Sequence, residues 1–406
     1  MPKVTDRMEM ANNAVMIRKE SEKIFTEIVG HYRYLHQHPE LSYKEENTAR
    51  YITEFLDIEK IPYRRNIGGY GILAWVVGEK EGGGKTAAFV ADMDALPVHE
   101  RNDVPYKSVT DGIMHACGHD SHTASLMGTA KIVNSLRSEF SGTVLFVFQP
   151  GEEQSPGGAA LMLKDGVFRD FNPDFVIKQH AYVDLPAGMV AFQTGTVMAS
   201  ADEIHIKVKG EGGHGALPHE LNDTVLAASN ILIALQQVVS RRRNPFQPMT
   251  LSFGKFIADG ATNVIPSEVV LAGSLRCMDE SERQKMLGVI PQIIDSVSAA
   301  YGCSCEIVMP EGYPCTVSHA AVTEKVRSQA IEFLGEAGVS EYPVRMTAED
   351  FGFFSQQYPC CFYRFGVADR SGACGKLHSS NFLIDEKALL TASSLFAFIA
   401  LDSLER

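Results

Sequence analysis

The spacing of apolar residues predicts alternating helices and buried strands over the first half of the chain. Ile17, Ile24, Ile28 and Tyr32 recur at helical spacing and predict a helix over 14–38. His38-Pro39 ends it, because the residue before a proline is pushed out of the helical region. Tyr51, Ile52 and Phe55 mark a second helix over 43–57. A weakly alternating run at 71–77 and continuous apolar runs at 86–91, 142–148 and 175–179 have the texture of strands. A further helix is predicted over 121–136. Polar groups follow three of these strands: Asp92-Met93-Asp94, Gln149-Pro150-Gly151-Glu152-Glu153 and His180. In an open α/β sheet such strand ends converge on one crevice, where ligands bind.

From about residue 195 the texture changes. Ile204, Ile206 and Val208 alternate with Glu203, His205 and Lys207, the pattern of an antiparallel strand with one face in water. Strands at 250–257 and 268–276 and helices over 223–240 and 280–300 complete a two-layer α+β unit. Helix–strand alternation resumes near 318. We therefore expect a discontinuous α/β domain, 1–194 with 307–406, carrying an inserted α+β domain, 195–306. A length of 406 residues also favours two cores over one.

Composition narrows the function classes. A net charge of −13 speaks against nucleic acid or an anionic membrane surface as partner. No apolar run is expected to span a membrane. Residues 1–13 lack the apolar core of a signal peptide. Eight cysteines are too few for a disulfide scaffold of this length, so reduced thiols and a cytoplasmic location are expected.

Cys117 breaks from the other cysteines because of its neighbours, His115 and His119 in Met114-His115-Ala116-Cys117-Gly118-His119-Asp120. Thiolate and imidazole are ligands for zinc-like ions. Glu153 and His180 follow separate strands, and His378 lies in Leu377-His378-Ser379. The adjacent carboxylates Glu152 and Glu153 repel unless a cation lies beside them, and one as ligand with one as base satisfies that condition. Asp94 is placed to orient a metal-bound histidine and fix its tautomer. His36, His38, His99, His115 and His122 are taken as structural or supporting groups.

These stretches, together with Leu35-His36-Gln37-His38-Pro39-Glu40-Leu41, Ala91-Asp92-Met93-Asp94-Ala95-Leu96-Pro97, Gly212-Gly213-His214, Asn263-Val264-Ile265-Pro266 and Ala348-Glu349-Asp350-Phe351, resemble the dinuclear metallopeptidase family. That family includes aminoacylases, carboxypeptidase G-type enzymes, hippurate hydrolase and plant auxin-conjugate amidohydrolases. The resemblance implies a zinc-peptidase-like catalytic domain, a mixed sheet flanked by helices, and an inserted lid that also makes a homodimer or higher oligomer. The wider family has a histidine where Asp92 stands and an aspartate as bridging ligand. This chain looks like the hippurate-hydrolase and auxin-conjugate branch instead. On that similarity Cys117 bridges two divalent metals, with His119, Glu153, His180 and His378 as the other ligands and Glu152 as base. His214 matches the lid histidine that reaches a neighbouring site, and Asn263 and Arg276 match positions that hold the substrate carboxylate. A thiolate favours zinc, while imidazole and oxygen also admit manganese, cobalt or nickel. The expected reaction is hydrolysis of an N-acyl-L-amino acid. A dipeptidase or carboxypeptidase of the same chemistry and a catalytically silent binding protein are the alternatives.

Overall fold

The continuous apolar runs become neighbours in one eight-stranded sheet, in the order 63–67, 71–77, 143–149, 86–92, 175–186, 360–368, 190–192, 339–341. The computed structural model describes residues 4–82, 84–369 and 374–405. The four central strands are parallel to one another, and Tyr63–Ile67 and Gly71–Val77 add on antiparallel. Central strands are covered on both faces, which is why they lack a polar face in sequence. Phe89, Phe146, Ile177 and Tyr363 enter a core shared with helices Val4–Gln37, His119–Ser135 and Lys387–Glu405. Phe396 of the last helix meets Phe89 edge-on at 5.0 Å. Side chains alternate along a strand, so Lys178 and His180 leave the sheet on the side opposite Ile177 and Ala181.

The chain divides into two compact units, 1–195 with 317–343 and 353–406, and 196–316 with 344–352. The expected insert was 195–306. Strand Ser304–Val308 pairs with Asp202–Lys209 at the edge of the second unit's sheet, so that sheet runs past residue 306. This four-stranded antiparallel sheet has the order 249–257, 268–277, 202–209, 304–308. Helices Thr224–Gln237 and Glu280–Ala300 share its core, which Ile204, Ile206 and Val208 enter from the alternating strand.

Several elements differ from their sequence expectation. The first helix begins at Val4, ahead of its apolar stripe. Helix His119–Ser135 starts two residues early, which places His119 in its first turn. Strand Phe175–Pro186 continues through His180 because residues from His180 onward pair with the strand that starts at Cys360. Among the described residues one helix, Lys387–Glu405, is by length and composition apolar enough over Lys387–Leu404 to cross a bilayer, against the expectation that no run would be. It is 83% buried and serves as core.

The end of the first helix is tied to the start of helix His119–Ser135 by a buried ion cluster. His36 Nδ1–H donates to Asp120 Oδ2 at 2.6 Å and Nε2–H to Glu100 Oε1 at 3.0 Å. Burial alone would lower the His36 pKa, but the two carboxylates outweigh it and push it up to about 9. A histidine whose folded pKa is raised stabilises fully below its unfolded value of 6.5, and that contribution is lost as pH rises through about 9. His36→Gln is therefore expected to lower stability at neutral pH by about 3–5 kcal/mol, since it leaves buried carboxylates unpaired. The variant should also flatten the loss of stability between pH 7 and 10, as read by thermal unfolding across that range.

Candidate metal centre

Four segments deliver donor atoms to one place in the first unit. Gly118, at φ +89°, turns the chain between Cys117 and the helix that opens with His119. The loop after strand Thr143–Gln149 carries Glu152 and Glu153. His180 comes from within strand Phe175–Pro186. His378, at φ +63°, is tied to the cysteine loop by its N–H, which donates to Ala116 O at 2.7 Å.

The separations match donors around shared cations. Cys117 Sγ lies 3.6 Å from His180 Nε2 and 3.3 Å from His378 Nε2. Glu153 Oε1 is 3.2 Å from His378 Nε2 and 3.9 Å from His119 Nε2, and Glu152 Oε2 is 4.0 Å from His119 Nε2. Tetrahedral bonds of zinc to nitrogen and sulfur put neighbouring donors about 3.3–3.7 Å apart. Two of the groups these atoms form contain the thiol, Cys117 with His119 and His180, and Cys117 with Glu153 and His378, while His119 also gathers with Glu152 and Glu153. The thiol belongs to both. His119 Nε2 is buried and makes no hydrogen bond, a cost that a cation removes. The donor set therefore fits a pair of divalent ions.

The tautomers are set for ligation. A carbonyl oxygen can only accept, so His180 Nδ1 carries the proton it gives to Ala181 O at 2.9 Å. His119 Nδ1–H likewise faces Asp94 O at 3.0 Å and Oδ1 at 3.1 Å. Once its second proton is lost, each ring presents a bare Nε2. Asp94 also accepts Glu153 N–H through Oδ2 at 3.0 Å, so it supports a histidine and the acidic loop together.

A third cluster, Asp92 with His119 and His122, is occupied from within. Ala181 N–H donates to His122 Nε2 at 2.9 Å, so His122 Nδ1 carries the proton and donates to Asp92 Oδ1 at 2.5 Å. The ammonium of Lys178, fully buried, lies 2.7 Å from Asp92 Oδ2. Both oxygens of Asp92 and both nitrogens of His122 are thus engaged. Lys178 escaped the sequence analysis. Its signal was a lysine at an inward position of an otherwise apolar strand, where a charge must have a partner.

The protons on these groups stand where cations would. Burial, and next the charge of Glu153, push the Cys117 thiol up. Hydrogen bonds to Cys117 and Glu153 raise His378 to about 10. At His119 burial works the other way, but Asp92, Cys117 and Asp94 outweigh it and hold its pKa well above the usual value. A bound cation reverses this balance by stabilising the thiolate and the bare imidazole.

The expected substrate-binding residues lie in the second unit. His214 stands opposite Val264 in the short pairing of Gly213–His214 with Val264–Ile265. Asn263 O accepts Gly215 N–H at 2.8 Å, so Asn263 is brought beside His214. Arg276 is half-buried on strand Glu268–Cys277, and burial lowers its pKa.

Residues 88–402 match Peptidase family M20/M25/M40, and the chain belongs to that family. It is a metal-dependent hydrolase of amide bonds. The chain is 37% identical over 303 residues to the N-acyl-L-amino acid amidohydrolase of Geobacillus stearothermophilus, covering 75% of this chain and 81% of that one. It is 35% identical over 392 residues to thermostable carboxypeptidase 2 of Saccharolobus solfataricus, covering 95% and 97%. Among solved structures, the Bacillus subtilis YXEP protein, a dinuclear metal-binding peptidase of the M20 family, superimposes with a TM-score of 0.80 at 30% identity. That match covers 95% of this chain and 99% of the other.

Ligands that are protonated when free must shed those protons to bind. Loading the metal-free protein with zinc at pH 7 is expected to release about three protons, from Cys117, His119 and His378. Titration calorimetry in buffers of differing ionisation enthalpy measures this release. An absence of net release would show that these three groups do not ligate.

Proposed function

We propose that the chain hydrolyses N-acyl-L-amino acids to a carboxylate and an amino acid, with Cys117, His119, Glu153, His180 and His378 holding two divalent ions and Glu152 as general base. The observation that carries this reading is the thiol of Cys117, within 3.6 Å of two imidazoles whose outer nitrogens belong to separate segments, with a second, adjacent carboxylate beside the set. A cation pair there would lower the pKa of water toward about 7 and polarise a carbonyl oxygen. Glu152 takes a proton from the attacking water and returns it to the amide nitrogen as the C–N bond breaks. Glu153, turned toward His378, is left to the cations. Zinc is the first candidate, because of the thiolate, with manganese, cobalt and nickel as alternatives.

The resemblance adds His214 as donor to the oxyanion and Asn263 with Arg276 as holders of the amino-acid carboxylate, roles suited to imidazole N–H and to a planar guanidinium. A homodimer formed through the second unit, and a cytoplasmic location, complete the proposal. The carboxypeptidase relative favours a second reading, on peptides. The two differ less than their names suggest, since both break an amide whose nitrogen belongs to a C-terminal amino acid.

A panel of N-acetyl and N-benzoyl amino acids and free-amine dipeptides, assayed after loading with each ion, separates the readings. Glu152→Gln is expected to lower kcat about 10²–10⁴-fold with metal content unchanged. Cys117→Ala should lower metal content itself, read by elemental analysis. Full turnover in the first variant, or full metal in the second, would remove that residue from its role.

A further inference from the structure

The loop that carries Glu152 and Glu153 is moulded by the segment that follows the first helix. Ser42 Oγ–H donates to Asp94 Oδ2 at 2.7 Å, the same oxygen that receives Glu153 N–H. Tyr43 presses its ring against Gly151, where a Cβ would stand 2.3 Å from Tyr43 Cε1, and Gly151 adopts φ +58°. The Tyr43 hydroxyl donates to Gln154 O at 2.5 Å and accepts Gly157 N–H at 2.9 Å. Glu45, fully buried, accepts Gly151 N–H through Oε1 at 2.7 Å. It stands at the N-cap of helix Glu46–Ile58, yet its side chain makes no capping bond. The carboxylate instead links its own segment to the loop.

We propose that Glu45 and Tyr43 are positioning residues that fix the backbone on both sides of Glu152 and Glu153 and so aim these carboxylates. The proposal rests on the roles assigned above to Glu152 and Glu153. A buried carboxylate is a costly device for filling space or starting a helix. Besides the backbone of Glu45 itself and of Tyr43, it binds the N–H of the residue immediately before the base. Two bonds from Tyr43 close the loop on the far side, and nothing in either set touches the donor atoms themselves. Burial, and next the charge of Asp94, raise Glu45 to about 7, so glutamine is a near-isostere that retains the accepting oxygen.

The experiment compares Glu45→Ala, Glu45→Gln and Tyr43→Phe in the full-length, cobalt-loaded protein, by kinetics on N-acetyl-L-methionine and by the cobalt absorption spectrum. Glu45→Ala and Tyr43→Phe should lower kcat about 10–100-fold with KM changed less than about twofold, and Glu45→Gln should recover to within about threefold of the parent. The cobalt bands should shift in Glu45→Ala and return in Glu45→Gln. Folded Glu45→Ala with parental kcat and spectrum overturns the proposal. So does a Glu45→Gln as poor as the alanine variant, which would assign the effect to charge. If Glu45→Ala does not fold, Tyr43→Phe decides alone: reduced kcat supports the clamp and parental kcat overturns it. Activity persisting in Glu152→Gln would defeat the base assignment but leave the cobalt bands to report on Glu153, so the two failures are distinguishable.

Discussion

Everything in the first unit serves the crowding of a thiol, three imidazoles and two carboxylates around one point. Left to themselves these groups compete for protons and repel as anions, as the raised pKa values of Cys117, His119 and His378 record. The fold enforces the crowding with rigid parts. A parallel sheet aims strand ends into one crevice, a left-handed glycine turns Cys117 into the helix that opens with His119, and backbone carbonyls choose the tautomers. Preorganised donors of this kind bind ions without having to gather them first.

Asp94 and Asp92 show how two acids two residues apart are put to different uses. Asp94 faces the site and braces His119, Ser42 and Glu153 at once. Asp92 is closed off by Lys178 and His122. A fully buried carboxylate beside a divalent-ion site would itself be a ligand unless another cation held it. Lys178 supplies that cation from the protein, and so keeps Asp92 out of the donor set formed by Cys117, His119, Glu153, His180 and His378.

Much of this was legible in the sequence. The apolar runs at 86–91 and 142–148 announced central strands, and the polar residues after them announced the crevice. The convergence of these donors was legible because thiol, imidazole and paired carboxylates rarely follow buried strands without a reason. Other features were not. Strand Phe175–Pro186 hid its second half because His180, buried among the donors, interrupts the apolar run and Asp184 is exposed. Lys178 looked like noise in an apolar run, since sequence alone does not say that Asp92 lies across from it. The Tyr43–Glu45 segment gave no warning at all. Its contacts with Gly151 and Gln154 span more than a hundred positions, and no local periodicity encodes such a meeting.

The order of the donors along the chain has a consequence for assembly. Cys117, His119 and His180 are all present once residues up to 180 exist, whereas the group of Cys117, Glu153 and His378 must wait for a segment two hundred positions later. Contacts of such long range form slowly, because closing the intervening chain costs entropy before it is repaid. On the proposed assignment, a nascent polypeptide holds the residues of one ion seat well before those of the other, with the sulfur of Cys117 common to both.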